Sequence, residues 1–404
     1  GASWLEWEHG LPTASMMALV VHPREHDLVI GTHGRSVYII DDIRPLRELS
    51  AATLAEPIHL FEIPDAIQYM VKQTGASRFP GNGEFRGENR AYGALITFSL
   101  NVEGLPHPNE EIERERSEAE RGAQAEEEEA EGRREREPQV TIEITDGDGE
   151  LIRSFERPAT LGVNRVVWRL DRDGFERPGA GEESAFFGGG GGPDVLPGSY
   201  GVTVKYGDRE VSGSVTVLPD PRYDIRRSDR QAKFDLVMHV GALQETIAEA
   251  VERIGETRSE IDDALERAKD ADAGEDEDEG AVADDDDDEG GTLEELAQAG
   301  EDLRKVLREL EHKLWTPPGT AKGIVYPTDV YSRLGYVRGS LSSSWDAPTP
   351  SQETYLAAVE AQLREIIADF NRAFAEDVAA FKRMVEEAEL EFVGTDEPLE
   401  VPAR

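Results

Sequence analysis

The residues that could do chemistry are few and scattered. His33 and Arg35 flank Gly34 in the run Gly31-Thr32-His33-Gly34-Arg35. An imidazole beside a guanidinium on one loop could meet an anionic ligand; the competing reading is that both bond to backbone or carboxylates of a neighbouring sheet. Asp41 and Asp42 close the same stretch and could ligate a cation with Asp27, or serve as turn acceptors at a strand end. Asp146-Gly147-Asp148-Gly149-Glu150 resembles the start of a calcium loop, so Asp146 and Asp148 are the candidate metal ligands. The twelfth position, where a bidentate Glu belongs, is Arg157, and a hairpin turn fits better. The run Asp284–Asp288 would attract cations loosely but offers no rigid cage. Gly188–Gly192 lacks the Lys and the strand-to-helix context of a phosphate loop. No His pair has zinc spacing on a helix, and no Ser sits in a nucleophile elbow. No cofactor is expected.

Composition narrows the partners. The chain has 404 residues, enough for two or three domains, each with its own core. It carries 85 acidic and 43 basic residues, a formal net charge of −42. That excess argues against nucleic acid or an anionic membrane surface as a partner. It fits either a salt-loving host, where ions screen the self-repulsion, or a few acidic runs such as Glu110–Glu137 and Asp270–Glu289. There is no Cys, so disulfides, thiol catalysis and Cys-ligated zinc are ruled out. No window approaches about 18 consecutive apolar residues, so no membrane span is expected.

The elements that must position these residues begin with Ser15–Asp42. It reads as three strands, Met17–Val21, Asp27–Thr32 and Ser36–Ile40, separated by His22-Pro23-Arg24-Glu25 and by the Gly31 to Arg35 turn. The Val and Ile runs predict burial on both faces. Such a meander suits one blade of a β-propeller. With Leu11-Pro12, His22-Pro23, Gly31-Thr32-His33-Gly34-Arg35 and Asp41-Asp42, it resembles the closing blade of the sortilin-type, BNR-repeat propeller proteins, often labelled glycosyl-hydrolase-like. In bacterial members a β-sandwich and a helical tail follow that blade. The resemblance implies export from the cytoplasm, structural roles for Gly31, Gly34, Asp41 and Asp42, and upstream blades as partners. The opening Gly1-Ala2-Ser3-Trp4 shows no initiator Met and no signal peptide, and one blade cannot close a propeller. The chain therefore reads as the C-terminal part of a longer protein.

After a connector at 43–56, strands are expected at Pro57–Ile63, Gln68–Val71, Ala91–Val102, Val140–Thr145, Leu151–Phe155, Asn164–Leu170, Tyr200–Tyr206 and Val211–Leu218. A polar insertion at 104–138 interrupts them, either a lone helix or a disordered segment. Val140, Ile142, Asp146, Gly149, Ile152, Asn164, Trp168, Pro197, Gly198 and Tyr200 form a pattern similar to the Ig-like domain of flagellar hook-cap and bacterial surface proteins. Trp168, Pro197, Gly198 and Tyr200 are architectural in that reading, Trp168 as a core anchor, and a seven-stranded sandwich over 57–218 follows.

Pro219-Asp220-Pro221-Arg222 reads as a stiff boundary. Beyond it, 226–391 reads as helices. One spans Ser228 to about Lys269, with Phe234, Val237, Val240, Leu243, Ile247, Val251, Ile254, Ile261 and Leu265 on one face. An acidic loop fills 270–291. A capping box at Thr292–Glu295 starts the next helix, a short one falls in Thr328–Ser342, and a second box at Thr349–Gln352 launches the last, to about Leu390. Helices apolar on one side must bury those sides together, as an antiparallel bundle.

The expected architecture is thus multidomain, α and β: a terminal propeller blade over 1–46, an antiparallel Ig-like β-sandwich and a C-terminal antiparallel helical bundle. A neuraminidase-type hydrolase would need an acidic pair, a Tyr nucleophile and an arginine cluster; none can be assembled from this sequence. The expected role is non-catalytic, bracing a propeller for protein or glycan binding. Alternatives are an accessory part of an exported glycoside hydrolase whose acids lie upstream, or a self-association module.

Overall fold

The computed structural model describes residues 11, 13–70, 87, 89–116, 138–179, 191–275, 289–317, 328–388, 390, 392 and 397–403. The chain contains both sheets and helices, with a helical C-terminal region. It divides into two compact units. The first holds residues 1–172 and 197–223; the second holds 173–196 and 224–404. Among the described residues no helix is long and apolar enough to cross a membrane.

The first unit opens with an antiparallel meander, β1 (Met16–Val21), β2 (Leu28–Thr32) and β3 (Val37–Ile40). The β1–β2 turn closes through the His22 N–H on the Asp27 carbonyl at 2.8 Å and the Glu25 N–H on His22 Nδ1 at 3.1 Å. The β2–β3 turn closes on Thr32, whose hydroxyl donates to the Ser36 carbonyl at 2.7 Å and accepts the Arg35 N–H. Gly34, at φ 76°, takes the left-handed conformation this turn requires.

Two short helices, α1 (Arg44–Glu48) and α2 (Ala51–Ala55), lead to two further sheets. Strands β4 (Ile58–Leu60), β6 (Ala94–Leu100) and β9 (Gly162–Trp168) form one, in the order β4-β6-β9. The other runs β5-β11-β10-β7-β8, from β5 (Ala66–Ile67), β7 (Gln139–Thr145), β8 (Leu151–Pro158), β10 (Gly198–Tyr206) and β11 (Arg209–Leu218). Most pairs are antiparallel, but β5 joins β11 in parallel. All seven residues of β6 are buried. Strand β7 alternates, with Val140, Ile142 and Ile144 buried between half-exposed neighbours, the pattern of a sheet with one wet face. Trp168 of one sheet meets Tyr200 of the other edge-on at 5.2 Å, and its indole N–H donates to the Asp171 carbonyl at 2.8 Å. Gly93 stands where a Cβ would fall 2.1 Å from the Trp168 carbonyl oxygen, so no other residue fits.

The expected insertion at 104–138 falls between the end of β6 at Leu100 and the start of β7 at Gln139. Leu105 is buried, and residues 110–116 are helical. Residues 117–137 lie outside the described residues, as do Thr74–Arg86, Gly188–Gly190 and Asp284–Asp288.

The second unit is built on α3 (Arg227–Glu275), α4 (Glu289–Leu314), α5 (Val330–Leu341), α6 (Pro350–Ala373) and α7 (Ala379–Glu387). Their apolar stripes share one core: Val240, Leu243, Ile247, Ile254 and Ile261 of α3, Leu303, Leu307 and Leu314 of α4, and Leu356, Val359 and Leu363 of α6 are buried together. Phe370 stacks on Phe374 with ring centres 4.2 Å apart. Thr349 and Gln352 form the expected capping box. The helix expected to start at Thr292 begins at Glu289, so Thr292 sits inside α4. The acidic loop is shorter than expected, because α3 continues to Glu275. A π-turn at Phe374–Val378 interrupts the last helix.

Two segments outside the expected helical span belong to this unit. Phe175 lies against Gly241 in mid-α3, where a Cβ would come within 2.0 Å of its ring. The tail folds back, with Phe392 and Leu399 buried, and Leu399 exchanges two hydrogen bonds with the Asn371 side chain at 2.8 and 2.9 Å.

Candidate functional site

The β1–β3 meander does not meet the expectation of burial on both faces. Every residue of β1 is exposed. The register places Val20, Val29 and Ile39 side by side, with Ala18, Gly31 and Val37 in the next row. Val20, Val37 and Ile39 on that face are 58, 58 and 60% exposed. The opposite face carries Ile30, which is buried, with Leu28, Tyr38 and Ile40 half-buried, while Leu19 and Val21 at its β1 edge are 64 and 40% exposed. The unit therefore presents a sheet face of Val, Ile and Ala to water. An exposed apolar face of this kind is a candidate contact surface.

The other end of the meander is anchored by charge. Asp42 is 1% exposed and left-handed at φ 40°, a conformation its short polar side chain tolerates. Its N–H donates to Asp27 Oδ1 at 2.9 Å, and its own Oδ1 accepts Arg44 Nε at 2.6 Å. Its Oδ2 is buried with no hydrogen-bond partner among the described residues. Arg165, projecting from β9, donates to the Asp41 carbonyl at 2.6 Å, the Asp42 carbonyl at 2.8 Å and Thr97 Oγ1 at 2.9 Å. Arg90 pairs with Glu25 at 3.2 Å and Asp27 at 3.4 Å. Burial, and next the Asp27 charge, push the Asp41 carboxyl above its ordinary range, against the pull of Arg90 and Arg165. Asp27, Asp41 and Asp42 thus work as acceptors for backbone and arginine. Among the described residues no group of three His, Asp or Glu side chains converges as a metal site.

The remaining candidates fall elsewhere. His33 and Arg35 are exposed at the β2–β3 turn; the His33 N–H donates to the Ser15 carbonyl at 2.9 Å and the Arg35 N–H to the Thr32 hydroxyl at 3.2 Å. Asp146 Oδ1 accepts the N–H groups of Asp148 and Glu150 at 3.0 and 3.1 Å, the arrangement of a hairpin turn, with Gly149 at φ 83°. Asp148 is exposed. Gly31 lies between Ala18 and Val37 on the open sheet face, and Pro197 precedes Gly198, which pairs with Val217 at the start of β10.

Sequence reasoning missed Arg165 and Arg90, because their partners lie 63 to 124 positions away. It also missed a groove of about 540 Å³ between β8 and β9, lined by Tyr92, Arg157, Arg165 and Arg169 and, among the described residues, by no acidic side chain. Arg165 is already engaged as above, and Arg157 lies over the Phe155 ring at 4.9 Å and donates to the Glu156 carbonyl. In comparisons with known proteins, no family model, no curated protein and no solved structure matches the chain.

Proposed function

We propose that this chain is a non-catalytic accessory and interaction region, in which β1–β3 is the terminal blade of a sortilin-like, BNR-repeat β-propeller. The two larger sheets are read as an Ig-like β-sandwich and the helical unit as an antiparallel bundle, bracing the propeller for protein or glycan binding in an exported protein. The observation that carries the reading is the apolar β1–β3 face. Val20, Val37 and Ile39 are each more than half exposed, while the strand-end side of the same sheet is fixed by Arg165 and Arg90. Burying three such side chains is worth about 1.5–3 kcal/mol each, so a covering sheet of matching character gains substantially. Preceding blades supply such a sheet in that architecture.

The test is the pair Val37→Glu and Ile39→Glu, made in this chain and in the intact gene product. On the open face the charges cost little, within about 0.5 kcal/mol. Under a neighbouring blade they are buried and destabilise strongly. Equal, small effects in both proteins would sink the blade reading. Concentration-dependent self-association of this chain, abolished by the same pair, would assign the face to a second copy instead.

A further inference from the structure

The helical unit contains a second feature that the propeller reading does not use. A cavity of about 300 Å³ lies among the first turns of α3, the end of α5 and residues 192–196. That volume is at the low end of small-molecule pockets, which run from about 300 to 1,000 Å³. Phe234, Val237, Leu341 and Trp345 give it apolar walls, and Arg230 and Lys233 line it too.

Lys233 is the anomaly. It is 6% exposed overall; among the described residues its ammonium makes no hydrogen bond or ion pair and keeps its contact with solvent at the cavity. Burial lowers the Lys233 pKa, with the Asp346 charge opposing from a distance. Four residues before Val237 on the same helix, Lys233 occupies a position on the apolar stripe where Leu or Met would be the stable choice. Arg230, one turn earlier, is 7% exposed, and its guanidinium lies over the Trp345 ring at 4.6 Å. The ring face holds the charged plane in place. Two buried cations therefore line a cavity whose remaining walls are largely aromatic and aliphatic.

We infer that this cavity binds a small amphipathic monoanion: a carboxylate seated against Lys233 and Arg230, its apolar body between Phe234, Val237 and Trp345. Asp194 also lines the cavity, and its charge disfavours a dianion such as a phosphate monoester. The carboxylate supplies the hydrogen-bond acceptors that Lys233 lacks, and a charge-assisted bond in a dry site is the strong kind.

The test uses the full chain and a series of straight-chain and aryl monocarboxylates from butyrate to phenylbutyrate, each paired with its neutral amide. Saturation-transfer NMR and calorimetry read binding; inorganic phosphate is the dianion control. At least one acid should bind ten-fold or more tighter than its amide, and phosphate should not compete. Lys233→Met keeps the volume and should hold or raise the thermal midpoint while weakening the acid ten-fold or more. Arg230→Gln should weaken it as well. The acid–amide comparison needs no variant, so it stands even if a substitution disturbs folding. Binding by none of the acids, equal binding of acids and amides, or full acid affinity in Lys233→Met would overturn the assignment.

Discussion

Replacing Arg165 with Ala removes three donors at once from the anchor of the β1–β3 meander. The guanidinium reaches the carbonyls of Asp41 and Asp42 at 2.6 and 2.8 Å and the Thr97 hydroxyl at 2.9 Å. Hydrogen bonds to a charged group contribute about 1.5–3 kcal/mol each, and water can partly replace them at this half-exposed site, so the net loss is about 2–4 kcal/mol. The loss is local. The core of the larger sheets rests on the buried side chains of β6 and on the Trp168–Tyr200 contact; Arg165 meets β6 through the Thr97 hydroxyl, outside that apolar packing. Amide hydrogen exchange resolves the two. Protection at Leu28–Thr32 and Val37–Ile40 should fall by roughly two orders of magnitude, since about 1.4 kcal/mol is a factor of ten. Protection at β6, β7 and β10 should be unchanged. Arg165→Lys should recover part of the loss, because a single ammonium cannot fork across both carbonyls. A uniform fall across all sheets, or no change in the meander, would refute the reasoning.

Asp220 supplies a pH test. Hydrogen bonds from the Arg222 side chain, first of all, hold its carboxyl at about 2 against an ordinary 3.8. A carboxyl held low stabilises the fold above its unfolded pKa and loses that contribution as pH falls from about 4 towards 2. Arg222 is largely solvent-exposed, so the contribution is discounted to about 1 kcal/mol. The urea midpoint of the wild type should drop more steeply than that of Asp220→Asn over this window; parallel curves would exclude the role. In the second unit, Phe370→Ala removes a fully buried ring stacked on Phe374. It should cost about 3–5 kcal/mol, read as a fall of roughly 10 °C in the midpoint of the helical unit by calorimetry.

The strands and helices were legible where one physical signal dominated. The alternation in Val140–Thr145 and the stripe from Val237 to Leu265 each encode a face, and the Thr349–Gln352 box encodes a start. Burial in the meander was not legible. Val and Ile runs report affinity for an apolar neighbour, and they read the same whether or not that neighbour is present. Thr292–Glu295 has the residues of a capping box, yet the helix begins three residues earlier, because a local motif does not forbid extension upstream. Phe175 and Leu399 were missed because a lone apolar residue has no period. Gly241 was the available signal for Phe175: a glycine inside a 49-residue helix carries a propensity cost that a close approach explains. Lys233 could also have been found, as a charge on an otherwise apolar stripe. Arg165 could not, since its partners are set by tertiary placement alone.

The central claim is that the exposed β1–β3 face is covered by like sheets in the working protein. Hydroxyl-radical labelling of Met17, Val20, Val37 and Ile39 tests it directly, comparing this chain with the intact gene product. The account predicts heavy labelling in this chain, where Met17 is 68% exposed, and at least several-fold protection of Val20, Val37 and Ile39 in the intact product. Equal labelling of those three residues in both would contradict it.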